Sequence, residues 1–335
     1  MRLEARTKAL GSIEPHAVRE FRSPELEWLI HRQIFLRKVD LLQLEYTVLA
    51  QYAGGFRQIP SVLFEHDVYF QSIARQLPGM TGLLQRVQAR YEYLRAIRFE
   101  LTALPRVDRI QVCSADNGAY LQSFVPRLAG KIDDDLRAGI DTTRYSYREA
   151  DREPGTMLFL GSFRHLPNQE GLRWLFAHVL PLVHQRNPDA RLLLVGSEPP
   201  PRHALPHTNA PVEMIGFVED VREPLSRYAL FLCPILSGSG VRVKLLEAFA
   251  AGIPVVSTRL GAEGLTAKDG DICALADSPA EFAARILELL AEPEQARAMA
   301  RRAREYVATR RDMKRMTARL LESYRAEIRR KRMTQ

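Results

Sequence analysis

Short apolar runs alternate along this chain with longer stretches in which apolar side chains recur at helical spacing. That alternation is the pattern of βαβ units on parallel sheets: buried strands read as apolar runs and crossover helices as amphipathic segments. In the first part the pattern predicts strands at 40–46 (DLLQLEY), 61–66 (SVLFEH) and 109–114 (RIQVCS), with a weaker one near 131–138. Between the second and third, Leu84, Val87, Tyr91, Leu94 and Leu101 share one helical face. Residues 139–155 are polar, bounded by Gly and Pro, and read as a linker.

The pattern restarts more cleanly after the linker. Strands are expected at 156–161, 191–196, 212–218, 229–236 and 253–258, and helices at 168–186, 241–252 and 279–292. Pro181 inside the first of these helices should kink or end it, whereas Pro279 suits a first helical turn. Residues 294–330 read as one long helix, with Met313, Met316, Leu320, Tyr324 and Ile328 as its apolar stripe and Arg or Lys over the rest. No internal repeat is apparent.

Length and charge narrow the class. The 335 residues suit two domains, and 46% hydrophobic with 26% charged residues is the composition of an ordinary globular protein. The net charge of +8 is uneven: about +3 over residues 1–150, −5 over 151–296 and +10 over 297–335. A nucleic-acid binder should carry its positive field on the folded body, so that class is disfavoured. Cys113, Cys233 and Cys273 are isolated, without zinc-ligand spacing, and Cys233 and Cys273 sit in apolar stretches as small core residues. MRLEARTKALG has no apolar run of the secretory kind, and no apolar run is long enough to span a bilayer, so a cytoplasmic location is the expectation.

The most informative segment is 236–258, LSGSGVRVKLLEAFAAGIPVVST. A strand ends, glycines allow a tight turn, and a helix opens with unpaired N–H groups, an arrangement that binds phosphate. Arg242 and Lys244 stand where cations oppose the helix dipole, which makes sense if an anion occupies the site. The bland alternative is a simple turn before a solvated helix start. GSGVRV fits only half of a dinucleotide fingerprint, because Val243 stands where the third Gly belongs, and no Walker A loop exists. Glu247, one turn beyond Lys244, is placed to accept hydrogen bonds from a ribose diol. His66 ends a strand, and the His66-Asp67 pair has no further metal ligands in view. Glu45 and Glu65 also lie near strand ends.

GSGVRVKLLEAFAAGIPVVSTRLGAEGL resembles the donor-binding signature of family 4 glycosyltransferases of the GT-B type. The run LFLGSFRHLPNQEGLRWLF, the strand end Gly216-Phe217-Val218 and the linker GIDTTRY follow in the family's order. The resemblance covers roughly residues 40–330 and is more specific over the second part. It implies two Rossmann-like parallel-sheet domains, a nucleotide-sugar as co-substrate rather than a bound cofactor, and no metal. Glu247 matches the second Glu of the family's E-x7-E motif, which binds the ribose. Ser239 stands where the first Glu, which contacts the donor sugar, is often found. Gly161 opens the phosphate-side loop. The Arg and Lys often found there have no clear equivalents, although Arg164 is near, so Arg242 and Lys244 are expected to supply the diphosphate charge. Gly238 and Gly240 shape the turn, Phe217 and Val218 end a strand at the site, and Glu263 falls near the sugar or phosphates, with a helix-entry carboxylate as its alternative reading. His66 matches a histidine that reaches the donor sugar.

The expected organisation is an incomplete Rossmann-like acceptor-side domain over 1–145, a nucleotide-sugar donor domain over 146–300, and a basic closing helix over 301–335. The first domain holds fewer strand candidates than the family's and opens with helical-looking residues 3–10 and 24–37, so the opening βα units are absent or lie upstream of Met1. The expected activity is sugar transfer with retention of anomeric configuration to a saccharide or lipid-linked acceptor, in envelope or surface glycan assembly. A sugar-nucleotide epimerase or phosphorylase fits the linker and donor signatures less well, and a non-catalytic nucleotide-binding partner is the rival from another class. For the basic tail the readings are a solvated face or a peripheral contact with anionic lipid at the inner face of a membrane.

Overall fold

The structure is a computed structural model that describes residues 12–80 and 82–334. The helical opening expected at residues 3–10 lies outside the described residues. By contacts the chain forms two units: residues 1–137 with 238–240 and 317–335, and residues 138–237 with 241–316.

The first unit begins with helices α1 (His16–Glu20) and α2 (Pro24–Arg37). Its sheet is parallel in the order β1-β2-β3-β4, formed by Leu42–Glu45, Ser61–Glu65, Arg109–Val112 and Ile132–Asp133. Helices α3 (Tyr69–Gln76) and α4 (Leu83–Ala103) connect β2 to β3, and α5 (Ala115–Phe124) follows β3. Every residue of β2 is buried, as a central parallel strand requires. Most of the stripe of α4 turns out to face away from the core, with Leu101 packing partly against it. Leu84, Val87, Tyr91 and Leu94 are exposed, while Arg95, Ala96, Glu100 and Ala103 are buried. The reason is visible at α3: Glu100 accepts from the backbone N–H groups of Tyr69 and Phe70 at 3.1 and 2.7 Å. It thereby satisfies donors that a helix start leaves without intrahelical partners.

The second unit holds a six-stranded parallel sheet in the order β10-β9-β8-β5-β6-β7. Its strands are β5 (Glu153–Leu160), β6 (Arg191–Val195), β7 (Val212–Gly216), β8 (Tyr228–Cys233), β9 (Val255–Ser257) and β10 (Ala274–Leu275). Period-two alternation sends Leu158 and Leu160 into one apolar cluster and Met157 and Phe159 into the other, so the sheet is buried on both faces. The chain runs outward from β5 through β6 and β7, then returns to β8 on the other side of β5. The topological switch point therefore lies between β5 and β8, where open α/β sheets bind ligands at the strands' carboxyl ends.

Pro181 does not end the helix, which runs on through it by way of a π-helical turn. The helix expected at 168–186 is α6 (Leu166–Trp174), a π-helical turn at Leu175–Val179, and α7 (Leu180–Arg186) with the proline in its first turn. After α8 (Arg222–Arg227) and β8 comes α9 (Val243–Ala251), closed by Gly252 in the left-handed conformation. Helix α10 (Pro279–Ala291) starts with a capping box between Ser278 and Glu281.

The closing segment is two helices rather than one, α11 (Pro293–Arg310) and α12 (Met313–Met333). The break has a cause in the linker. Ile140 donates its N–H to the Arg311 carbonyl at 2.8 Å and accepts from Met313 N–H at 3.0 Å. These backbone groups pair with the linker instead of continuing the helix. Residues 317–335 belong to the first unit, where Tyr324 donates to Gln43 Oε1 at 2.6 Å. The basic tail also meets acids there. Arg319 pairs with Asp135, Lys331 with Asp108 at 3.0 Å, and Arg332 with Asp40 at 2.6 Å. The charge that is conspicuous in sequence is thus partly answered within this unit.

Candidate active site

In the second unit, several of the expected residues converge on the carboxyl ends of the strands. Gly161 follows β5 and donates its N–H to the Val195 carbonyl at 3.0 Å, and Gly196 donates to the Gly216 carbonyl at 2.7 Å. A Cβ on Gly196 would lie 1.7 Å from the Gly161 carbonyl oxygen, and one on Gly161 would lie 2.8 Å from Asn168 Nδ2. This close approach leaves no room for a side chain at Gly196, whose neighbour is backbone, and at Gly161 a side chain would displace Asn168. Phe217 and Val218 follow Gly216 at the end of β7, and the Phe217 ring is exposed.

Lys244 lies in the first turn of α9, after β8, and so belongs to the switch point. Its Nζ donates to Asn168 Oδ1 at 2.7 Å and to the Leu160 carbonyl at 3.3 Å, and sits 5.0 Å from the centre of the Phe159 ring. Asn168 is held in turn, because its Nδ2 donates to the Ser162 carbonyl at 2.8 Å. Among the described residues no carboxylate pairs with Lys244. Burial pushes its pKa below the ordinary lysine value, and the neighbouring Arg242 pushes the same way. A half-buried ammonium with only neutral partners carries a desolvation cost, and an anion beside it would relieve that cost.

Glu247 stands one turn further along α9. Its Oε1 accepts the Tyr145 hydroxyl at 2.9 Å, and among the described residues Oε2 takes no side-chain donor. Burial raises its pKa, and the Tyr145 hydrogen bond opposes that rise. Burial also raises the Tyr145 phenol, with the Glu247 charge adding to it. Tyr145 is itself anchored through its backbone: Arg304 donates to the carbonyls of Tyr145, Thr142 and Ala250.

Other expected residues stand apart from this group. Arg164 points to solvent and pairs with Glu198. Glu263 is half-buried in the turns after β9. Gly238, Ser239 and Gly240 are grouped with the first unit, where Ser239 Oγ accepts from Val68 N–H at 3.1 Å. Gly238 and Gly240 have φ of 96° and 80°, which favour glycine.

In the first unit, His66 follows β2. Its Nε2 lies 2.7 Å from Glu45 Oε2, and the Tyr46 ring stacks on it at 4.0 Å. The contact places a carboxylate oxygen within hydrogen-bond distance of this ring nitrogen. Arg137 donates to both oxygens of Glu45 at 3.1 and 3.3 Å. Glu65 is fully buried, takes a hydrogen bond from Thr47 and meets the carboxyl group of Glu100. Burial pushes Glu65 up to about 8 and raises Glu100 as well. Two carboxyls in contact in a buried setting hold a proton at neutral pH.

Asn168, Tyr145 and Glu100 were not singled out by sequence reasoning. Asn168 and Tyr145 lie inside segments that carried the resemblance, yet their partners are 76 and 102 residues away. Nothing local announces such pairs.

Known proteins share this architecture. Residues 154–292 match the family model described as Glycosyl transferases group 1. An uncharacterized 44.6 kDa protein in the cps region of Klebsiella pneumoniae is 28% identical over 151 residues, which are 43% of this chain and 39% of that protein. The match therefore spans well under two thirds of that relative. Among solved structures, sucrose-phosphate synthase from Thermosynechococcus elongatus superposes with a TM-score of 0.71 at 19% identity, over 90% of this chain and 77% of that one. Anabaena Alr3699/HepE in complex with UDP-glucose gives 0.68 at 15% identity, over 90% and 82%. WaaG, a glycosyltransferase involved in lipopolysaccharide biosynthesis, gives 0.57 at 18% identity, over 84% and 76%. Residues 154–292 thus match the glycosyl transferases group 1 model, in a chain with the two parallel sheets of the GT-B glycosyltransferase fold.

Proposed function

We propose that this protein transfers a sugar from a nucleotide-sugar donor to an acceptor hydroxyl, with retention of anomeric configuration and without a resident metal. The observation that carries the reading is Lys244, a half-buried ammonium at the switch point whose hydrogen-bond partners are neutral oxygens. A donor diphosphate supplies the missing negative charge, and the dipole at the start of α9 adds to the attraction. Lys244 and Arg242 hold the diphosphate, with Gly161 admitting it close to the backbone. Glu247 takes the ribose diol on Oε2. Phe217, Val218 and Glu263 border the donor, and His66 is the residue we assign to the donor sugar.

In the transfer itself the bond from the sugar's anomeric carbon to the diphosphate oxygen breaks as the bond to the acceptor oxygen forms. The acceptor proton passes to the departing phosphate oxygen on the same face. Fixed cations and dipoles stabilise the charge that develops on the leaving group. No enzymic nucleophile is required, and a trapped glycosyl-enzyme adduct in mass spectrometry would contradict this scheme.

A binding-only reading has one observation in its favour, Ser239, which stands where the resembled family often has a Glu and accepts from Val68. Calorimetry with UDP-, GDP- and ADP-glucose, followed by an assay of donor turnover, decides between the two. Binding with turnover supports transfer, and binding without turnover to either water or a sugar acceptor supports the rival.

A further inference from the structure

We infer that the hollow of about 270 Å³ at the amino ends of β5, β8 and β9 binds a small amphiphilic anion, a molecule of about two fused rings that carries one carboxylate. The hollow lies wholly within the second unit, at the end of the sheet opposite Lys244 and Glu247, and does not depend on the sugar-transfer reading. One wall is the linker, with Tyr147 and residues 149–152. The other is the turn from α10 to α11, with Leu289, Leu290, Pro293 and Ala296.

Two local features open the space. Glu153 of β5 pairs with Tyr228 of β8, but the next paired residues are Met157 and Leu230, so β5 bulges at its start. Pro154 has no N–H to give to the ladder there, and Gly155 takes a φ of 70°. Thr156 repairs the ladder just beyond them, its hydroxyl accepting the Ala229 N–H at 2.9 Å. The second feature is the size of the facing residues, among them Ala229, Gly252, Ala296 and Ala300. Leu230, Pro254, Leu289, Ala296 and Ala300 give the hollow an apolar floor, and all five are buried.

The polar groups in the walls set the charge of the ligand. Arg152 donates to the carbonyls of Arg148, Leu225, Tyr228 and Ala251 at 3.1, 2.8, 2.8 and 2.9 Å. Among the described residues no carboxylate pairs with it, and at least one of its five N–H groups has no partner. Burial pushes its pKa down to about 10, and the neighbouring Arg148 pushes the same way. Of the acids in the wall, Glu149 is already answered by Arg301, and Asp151 is exposed, where water weakens its field. An anion in the hollow is thus the opposite charge that Arg152 lacks. Size completes the class. An apolar cavity of about 150 Å³ holds one benzene ring, so this hollow holds about two fused rings and excludes a whole nucleotide-sugar.

The test uses the full chain and saturation-transfer NMR titrations with three probes built on one naphthalene body: 2-naphthoate, 2-naphthalenemethanol and 2-naphthylmethylammonium. 2-Naphthoate should bind about tenfold more tightly than the alcohol, the effect of one charge-assisted contact, and the ammonium should bind most weakly. Two variants locate the ligand. Ala150→Trp covers the mouth from an exposed position and should melt with the wild type. Ala300→Met fills the floor from α11. Each should weaken 2-naphthoate binding about tenfold. If Ala300→Met fails to fold, Ala150→Trp decides alone. Absence of 2-naphthoate binding, equal binding of the ammonium, or undiminished binding in every folded variant overturns the site.

Discussion

Tyr145 in the linker and Glu247 on α9 are joined by a hydrogen bond of 2.9 Å, so the carboxylate assigned to the ribose is aimed by a residue outside the family-matched segment. Without the hydroxyl, Glu247 loses the contact that opposes its burial-raised pKa and gains freedom to rotate. Tyr145→Phe should weaken UDP-glucose binding about fivefold, the effect of one ordinary hydrogen bond of about 1 kcal/mol. Calorimetry at neutral pH checks this, and an unchanged dissociation constant would remove Tyr145 from the site.

Lys244 gives a prediction with two opposite signs. Replacing a half-buried charge that lacks an opposite partner with an apolar side chain of similar length relieves desolvation. Lys244→Met should therefore melt at or above the wild type when no ligand is added. The same variant should lose UDP-glucose binding by a factor of about one hundred, as expected for a charge-assisted contact worth about 3 kcal/mol. A variant that melts lower and still binds would mean that Lys244 serves the fold rather than the donor.

Gly196 tests the close approach at the ends of β5 and β6. A methyl group there would fall 1.7 Å from the Gly161 carbonyl oxygen, and φ is 146°. Gly196→Ala should cost about 3 kcal/mol or more, through backbone displacement in a tightly packed region. Urea unfolding measures it. Gly270→Ala is a useful contrast, because a Cβ there meets nothing within 4 Å and only the left-handed strain at φ 72° remains. Equal losses in the two variants would refute the steric account.

The buried carboxyls of Glu65 and Glu100 predict a pH dependence with a definite sign. Glu65 titrates near 8 in the folded chain against an ordinary value of 4.5, chiefly because it is buried. The folded state therefore holds a proton that the unfolded chain has released. This contribution to stability is complete below about pH 4.5, declines as pH rises toward 8, and is gone beyond it. The charge of Asp67 adds to the rise at Glu65, while the hydrogen bonds from Thr47 and Glu100 oppose it. Glu65→Gln should flatten the fall in melting temperature between about pH 5 and 8. A parallel fall in variant and wild type would assign the proton elsewhere.

Local periodicity was sufficient to place the strands β1 to β3 and β5 to β9, because a buried parallel strand is apolar at nearly every position and needs no knowledge of its neighbours. The turn before α9 was also legible, since its glycines, its two cations and Glu247 fall within ten residues. The stripe of α4 was legible as a stripe but not in its direction. Periodicity reports that side chains share a face, and only the need to satisfy the start of α3 decides that Glu100 points inward. The basic tail reads as one helix because all of it favours helix, yet Ile140 competes for its backbone at residues 311–313.

The amino-acid sequence by itself therefore determined the α/β class, the order of most elements and the segment that carries the donor signature. These follow from spacing along the chain, which acts over one or two turns or a single strand. The tertiary structure alone decided that Lys244 meets Asn168, that Tyr145 aims Glu247, that Glu65 meets Glu100, and that Arg164 turns away to Glu198. Each of these pairings joins residues separated by tens of positions. Their energies depend on burial and on which donors and acceptors are left over once the sheets have formed, and neither is encoded in a local pattern.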